Sequence, residues 1–283
     1  YTVEAENFIS ENAHFCKSAL SRFTQWDFLE MIHAQNIPYH EREHGQLFCN
    51  ESARDILNML LSECDKVGVD IQLKADIQSI KKHAELGFMV KTKAQEIHTQ
   101  SLVIATGGLS IPKMGATPFA YKIAEQFDIK VQPTRAGLVP FTLHVEDKEK
   151  FAVLSGLALV ATISNACQSF TENLLFTHRG LSGPVALQMS SYWQEGEELV
   201  INLLPDLDLQ QQLLQAQQEK IKLKLKNYLA HRLAKRLVST FLQEEMLELS
   251  VLDLSHKQIQ QIAQQFNHWT IKPNGTEGYR TAE

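Results

Sequence analysis

The chain has 283 residues, 44% hydrophobic and 21% charged, which is the composition of an ordinary globular protein. Its formal net charge of −6 excludes an overall basic footprint for nucleic acid or anionic membranes, but it does not exclude a local basic patch. The four cysteines form no CxxC pair, and no apolar run reaches the roughly 18 residues of a membrane span, so we expect reduced thiols in a cytoplasmic protein.

The first hundred residues predict helices and short strands in alternation. Apolar residues at three- and four-residue steps predict a helix over 15–36, with Thr24 as a cap inside it, and a second helix over 53–64. Predicted strands cover 46–49, 69–73, 77–80, 87–91 and 96–97. This order is consistent with half of a nucleotide-binding domain.

The segment from His40 to His44 matches the zinc-binding pattern HExxH. That pattern needs a helix, which places two histidines one turn apart so that both face one metal ion. Here Pro38 and Gly45 bracket the segment, and no third ligand is evident downstream. We therefore predict a polar strand or hairpin edge and no metal site.

The segment Ser101–Pro112, with the sequence SLVIATGGLSIP, organises the rest of the chain. The apolar run 102–105 predicts a strand buried on both faces, as in the middle of a parallel sheet. It ends at Thr106-Gly107-Gly108, where missing Cβ atoms let a ligand approach the backbone at the carboxyl end of the strand. A plain strand-to-loop turn would use the same residues, so spacing alone leaves both interpretations open.

A second unusual segment, LFTHRGLSGP, runs from Leu175 to Pro184. It predicts a strand, a glycine-rich turn and a helix that Pro184 opens. Amides at such a helix start, near Gly180, Ser182 and Gly183, can bind an anion, and His178 could donate a proton. The alternative is a loop tightened by the two glycines, in which His178 and Ser182 only cap the turn.

Residues 210–265 contain no glycine or proline and are rich in Leu, Gln, Lys and Glu, which predicts three or four amphipathic helices. A basic cluster lies within them, and a solvated helix face is the usual meaning of such a run. The alternative is a surface that contacts a phosphate backbone. The residues that we assign to such phosphate contacts are Lys222, Lys224, Lys226, Arg232, Lys235 and Arg236.

These two segments, together with PTRAGLVP at 133–140 and NGTEG at 274–278, resemble the bacterial BaiN/RdsA-type (YhiN-like) flavoproteins, FAD-dependent oxidoreductases. The four motifs occur in the family's order. The resemblance implies an α/β fold with a Rossmann-like FAD domain of the glutathione-reductase type, interrupted by a β-barrel-like domain that carries a small helical insert. The corresponding boundaries are 1–136 for a partial FAD domain, 137–205 for the barrel-like part, 206–268 for the helical insert and 269–283 for the return segment.

The family's amino-terminal GxGxxG and its carboxy-terminal flavin segment are absent from this sequence. The chain also opens at Tyr1 without methionine, so we expect an internal fragment that binds FAD poorly and is inactive alone. The resemblance implies that Ala105, Thr106, Gly107 and Gly108 line the dinucleotide and that the backbone near Ile77 meets the adenine.

Members of the family are associated with reducing an activated carbon–carbon double bond, in steroid-like molecules or in a uridine of large-subunit (23S) ribosomal RNA. The resemblance therefore implies FAD as cofactor, NADH or NADPH as reductant, and His178 as the acid or a substrate contact. The basic helical insert favours ribosomal RNA as the partner. A small-molecule flavin oxidase or reductase, and a non-catalytic RNA-binding module on the same fold, remain the alternatives.

Overall fold

The computed structural model describes residues 4–42, 45–85 and 87–283. The chain divides into two compact units, one ending at Leu102 and the other beginning at Val103. Each unit has its own sheets and its own buried residues.

The first unit holds three α-helices and five short strands among the described residues. They are α1 (Lys17–Arg22), α2 (Gln25–Ala34), β1 (Tyr39–Glu41), β2 (Leu47–Cys49), α3 (Arg54–Lys66), β3 (Ile77–His83), β4 (Gly87–Thr92) and β5 (Glu96–Thr99). The single helix predicted over 15–36 is two helices, because Phe23 takes an extended conformation. The predicted cap is confirmed: the Asp27 amide donates to Thr24 Oγ1, and the Thr24 amide donates to the Asp27 carboxylate.

Two antiparallel sheets form in this unit, β1 with β2 and the series β3-β4-β5. His40 lies in β1, as the predicted polar strand requires, whereas His44 lies outside the described residues. The predicted strand over 69–73 is wrong: these residues form turns and irregular chain.

The predicted buried strand over 102–105 is also wrong. These residues pair with no strand in the described chain, and Val103 is 84% exposed. A parallel strand is stabilised only by neighbouring strands and by helices on both faces of the sheet. The described residues supply no such neighbours, so the apolar run forms no strand and stays half-exposed.

The second unit alternates short strands with helices. Its elements are α4 (Phe119–Gln126), β6 (Phe141–Thr142), α5 (Val145–Phe151), β7 (Ala158–Ser164), β8 (Ser169–Phe176), β9 (Gly180–Ser182), α6 (Pro184–Ser190), β10 (Leu199–Asn202), α7 (Leu209–Gln218), α8 (Leu225–Leu229), α9 (Lys235–Phe241), α10 (Glu244–Glu248), α11 (His256–Asn267), β11 (Trp269–Ile271) and β12 (Gly275–Thr276). The helical region predicted over 210–265 is confirmed, but it contains five helices, α7–α11, and not the three or four that the sequence predicted.

One antiparallel sheet contains all seven described strands of this unit, in the order β11-β10-β7-β8-β9-β6-β12. No pairing between β11 and β12 closes the sheet among the described residues, so the barrel-like form that the resemblance implies is not confirmed. The fold of the described chain is therefore mixed α and β.

A single hydrophobic core joins this sheet to the helices that lie between β10 and β11 in the chain. Helix α11 buries Ile259, Ile262 and Phe266 at helical spacing. Aromatic rings continue the core into the sheet, since Trp269 lies 5.0 Å, centroid to centroid, from both Phe151 and Phe241. The helical region therefore packs directly on the sheet.

Two glycines allow β9 and the start of α6 to pack closely against neighbouring backbone. A Cβ at Gly180 would lie 2.2 Å from the carbonyl oxygen of Phe141, and one at Gly183 would lie 2.5 Å from that of Asn173. Gly183 also has φ +88°, which side chains rarely adopt. This geometry supports the predicted loop tightened by the two glycines.

Replacement of Gly183 by alanine should destabilise the protein far more than replacement of Gly196. Both glycines have φ near +90°, but a Cβ at Gly196 would meet no atom within 4 Å. We expect a loss of roughly 1–2 kcal/mol of unfolding free energy for G196A, from backbone strain alone. For G183A we expect about 1–3 kcal/mol more, from the clash. Urea unfolding of both variants measures the difference, and equal losses would contradict it.

Candidate functional site

The four motif segments meet around β6 and the turn that follows β12. Residues 275–276 pair with Phe141–Thr142, which pair in turn with residues 180–181. The amide of Glu277 donates to the carbonyl of Pro140 at 2.9 Å, and the amide of Ile111 donates to the carbonyl of Tyr279 at 2.8 Å. Segments far apart in the sequence thus form one continuous region of the second unit.

The 133–140 segment is fixed against the end of α6. The amide of Val139 donates to Ser190 Oγ at 2.9 Å, and a guanidinium nitrogen of Arg135 donates to the carbonyl of Trp193 at 3.4 Å. These contacts hold the chain that leads into β6.

The main chain at Thr106–Gly108 is exposed. Gly107 has φ +72°, and no heavy atom lies within 4 Å of the position that its Cβ would occupy. A Cβ at Gly108 would lie 3.6 Å from the hydroxyl of Tyr121, in ordinary contact. The bare edge of backbone that the sequence predicts after the apolar run is therefore present, although the run itself is not a strand.

These residues fit one wall of a dinucleotide site. Exposed peptide groups without side chains allow a flat or charged ligand to approach the backbone closely. In the turn bonded to Ile111, the hydroxyls of Tyr279 and Thr281 are buried and make no hydrogen bond with any described residue. A bound group with donors or acceptors would satisfy them.

Ile77, the predicted adenine contact, is the first residue of β3, and it lies in the first unit. It pairs with Thr92 on β4, and an irregularity in register follows it. Its role stays a prediction.

His178 lies at the tip of the tight connection between β8 and β9. Thr177 Oγ1 accepts hydrogen bonds from the amides of Arg179 at 3.2 Å and of Gly180 at 3.1 Å, which shapes the turn. The His178 side chain is exposed. The Gly180 amide is thus already engaged, and an anion-binding role for Gly180, Ser182 and Gly183 stays a prediction.

Sequence reasoning missed three charged residues beside this turn. A single carboxylate oxygen of Glu277 accepts from Arg179 Nη1 at 3.1 Å and from Arg280 Nη2 at 2.7 Å. The Glu277 side chain is 10% exposed, whereas those of Arg179 and Arg280 are 40% and 50% exposed. The spacing of Glu277 and Arg280 could have revealed one pair, but no sequence signal joins Arg179 to a residue 98 positions away.

The basic cluster of the helical region divides into paired and exposed side chains. Lys224 Nζ contacts the Glu248 carboxylate at 2.6 Å, and Lys226 contacts its other oxygen. Arg236 donates to the carbonyls of Val153 and Ser155, each at 3.4 Å. Three further cluster members are exposed and form no ion pair with a described residue: Lys222, Arg232 and Lys235.

A groove of about 850 Å³ lies away from these motifs, between the end of β10 and helix α11. Polar side chains line it, among them Asp206, Asp208 and Lys257. None of its lining residues belongs to the four motif segments, so we do not assign the candidate site to it.

Within the described ranges, no group of three or more His, Cys, Asp or Glu side chains is arranged to hold a metal ion. The helices of the same ranges include none with the length and apolar character needed to cross a membrane.

The two lysines change the acidity of Glu248. Hydrogen bonds from Lys224 and then Lys226 lower the pKa of its carboxyl from the ordinary 4.5 to about 2. Because the pKa is lower in the folded state, the pairs stabilise the fold above about pH 4.5. That contribution is lost as the pH falls from there to about 2.

Replacement of Lys224 by glutamine should return the pKa of Glu248 part of the way toward 4.5, since its hydrogen bond is the largest cause of the lowering. NMR titration of the Glu248 side-chain carboxyl measures this change. The matched control is K222Q, which removes an exposed lysine of the same cluster and should leave that pKa unchanged. Equal titration curves for K224Q and wild type would contradict the pairing.

Comparison with known families matches both parts of the chain. Residues 2–188 match the HI0933-like protein Rossmann domain, and residues 135–283 match the HI0933-like protein barrel and H2TH domain. The two matches overlap over residues 135–188, which include β6 and the 175–184 segment.

Two bacterial relatives are similar over nearly the whole chain. The ribosomal RNA dihydrouridine synthase of Escherichia coli (strain K12) is 50% identical over 99% of this chain, which covers 70% of that protein. The protein of the same name from Haemophilus influenzae (strain ATCC 51907 / DSM 11121 / KW20 / Rd) is 44% identical, over 99% of this chain and 71% of its own length.

Proposed function

The chain belongs to the HI0933-like family, and from that premise we propose that it forms part of a flavin-dependent reductase that converts a uridine of ribosomal RNA to dihydrouridine. The observation that carries the proposal is the similarity of almost the entire chain to two relatives that bear this activity in their names. The motif segments that meet at β6 supply a region in which such chemistry could be organised.

We propose FAD as the cofactor and NADH or NADPH as its reductant. Bound FAD would supply the hydride that reduces the carbon–carbon double bond of the uracil ring. The exposed residues Ala105–Gly108 would contact the dinucleotide, because Gly107 and Gly108 offer peptide groups without obstructing side chains. Ile77 is proposed as an adenine contact from the resemblance alone.

In this proposal His178 donates the proton that completes the reduction. Addition of a hydride to one carbon of the double bond leaves the other carbon in need of a proton. An exposed imidazole at the tip of a short connection can reach a substrate, and Thr177 fixes the backbone that carries it.

The helical region would hold the RNA through its exposed cations. Lys222, Arg232 and Lys235 supply charge that no described acidic side chain neutralises, whereas Lys224 and Lys226 share Glu248. Phosphate contacts of this kind are independent of sequence and weaken with salt. The domain boundaries implied by the resemblance, with a helical insert over 206–268, belong to the same proposal.

Deletion of the gene should remove one dihydrouridine from ribosomal RNA, and the wild-type full-length gene should restore it. Nucleoside analysis by mass spectrometry measures this. An unchanged nucleoside profile would overturn the proposed function in favour of a small-molecule substrate or a non-catalytic module.

Complementation with H178Q should restore the dihydrouridine at least about a hundredfold more slowly than the wild-type gene, as expected for loss of a general acid. The control H256Q replaces another exposed histidine and should restore it normally.

The exposed cations should determine how strongly salt weakens RNA binding. We expect K222Q/R232Q/K235Q to reduce the slope of log affinity against log salt by roughly 2–3, because each lost phosphate contact removes about one counterion. Filter binding of ribosomal RNA by the full-length protein at several salt concentrations measures the slope. The triple variant K81Q/K82Q/K130Q makes the same charge change at exposed lysines elsewhere and should leave the slope unchanged. Equal slopes for the two triple variants would contradict the assignment.

A further inference from the structure

Arg179, Glu277 and Arg280 form a compact charged group with a net charge of +1. Both guanidinium groups donate to the same carboxylate oxygen of Glu277, and that carboxylate is largely buried. A buried carboxylate between two arginines fixes their position, because its own charge is satisfied only while both remain in place.

Glu277 uses only part of the hydrogen-bonding capacity of the two arginines. A guanidinium group has five N–H donors, and each arginine uses one of its terminal nitrogens on Glu277. With 40% and 50% of their side chains exposed, both groups can reach a ligand in solvent. A planar, permanently charged fork held in this way is suited to phosphate oxygens.

The position of this group connects it to the proposed chemistry. Arg179 directly follows His178 in the same turn, and its carbonyl accepts the amide of Leu143 beside β6. Arg280 directly follows Tyr279, whose carbonyl is bonded to Ile111 in the loop after Thr106–Gly108. The arginines are therefore anchored to both segments to which we assign roles.

We propose that Arg179 and Arg280 bind a phosphate group of the RNA substrate beside the target nucleotide, with Glu277 as the residue that positions them. This inference rests on the proposed function. Phosphate is also part of FAD and of NADPH, so the experiment includes an arm for each source. The phosphate of the polynucleotide is favoured because Arg179 adjoins His178, where the base must be placed for protonation.

The test uses the full-length, flavin-loaded protein with R179Q and R280Q, and with R54Q as a matched control. Arg54 is an exposed arginine at the start of α3. We expect each site variant to reduce the salt slope of RNA binding by about 1 and to raise KM for RNA while kcat changes little. Flavin content and KM for NADPH should match those of R54Q. Substitution E277Q should also raise KM without a change in kcat, and R179K should fall between wild type and R179Q.

Three results would overturn the inference. The first is an unchanged salt slope in R179Q and R280Q while the wild type forms dihydrouridine, which leaves the proposed function intact. The second is a fall in flavin content, or a raised KM for NADPH, with unchanged RNA binding, which assigns the arginines to the phosphate of a dinucleotide. The third is a wild-type protein that forms no dihydrouridine, which overturns the proposed function itself.

Discussion

The organisation of the second unit depends on the backbone hydrogen bonds of β6, a strand of only two residues. Phe141 and Thr142 pair with β9 on one side and with β12 on the other. These pairings place the connection that carries His178 and the turn that carries Glu277 on either side of one strand. The close approach is available only because Gly180 has no Cβ, which would otherwise meet the carbonyl of Phe141. Local backbone packing thus determines which distant segments become neighbours.

The sequence indicated the local features of the fold more reliably than its long-range pairings. Thr24 and Asp27 form a capping box because both partners lie within one turn, and helical periodicity likewise located α3 and the region of the helices after residue 208. The prediction of a strand over 102–105 was wrong because an apolar run carries no information about which strands will pair with it. The backbone of Gly107 and Gly108 is still unobstructed, because a glycine has no side chain whether or not the preceding residues form a strand.

In the candidate site, too, the sequence indicated local features but not long-range contacts. Its motif residues could be identified one by one, and the resemblance placed them in one family. The ion pair between Arg179 and Glu277 could not be anticipated, because it joins residues 98 positions apart through the register of β9, β6 and β12. Likewise, counting the positive charges along the helical region did not show which of them are neutralised by an acidic side chain. Glu248 lies more than twenty residues after the two lysines that it pairs with, so only the folded chain separates the neutralised cations from the exposed ones.

The aromatic contacts around Trp269 have a mechanical consequence. Because Phe151, Phe241 and Trp269 belong to one core, the helical region that contains the exposed cations cannot swing freely against the sheet that carries His178. In the proposed enzyme, an RNA bound by the helical region would lie at a fixed distance from the imidazole of His178. The bound helical region would then determine which nucleotide lies beside His178. Binding shifted by one nucleotide would place the wrong base there.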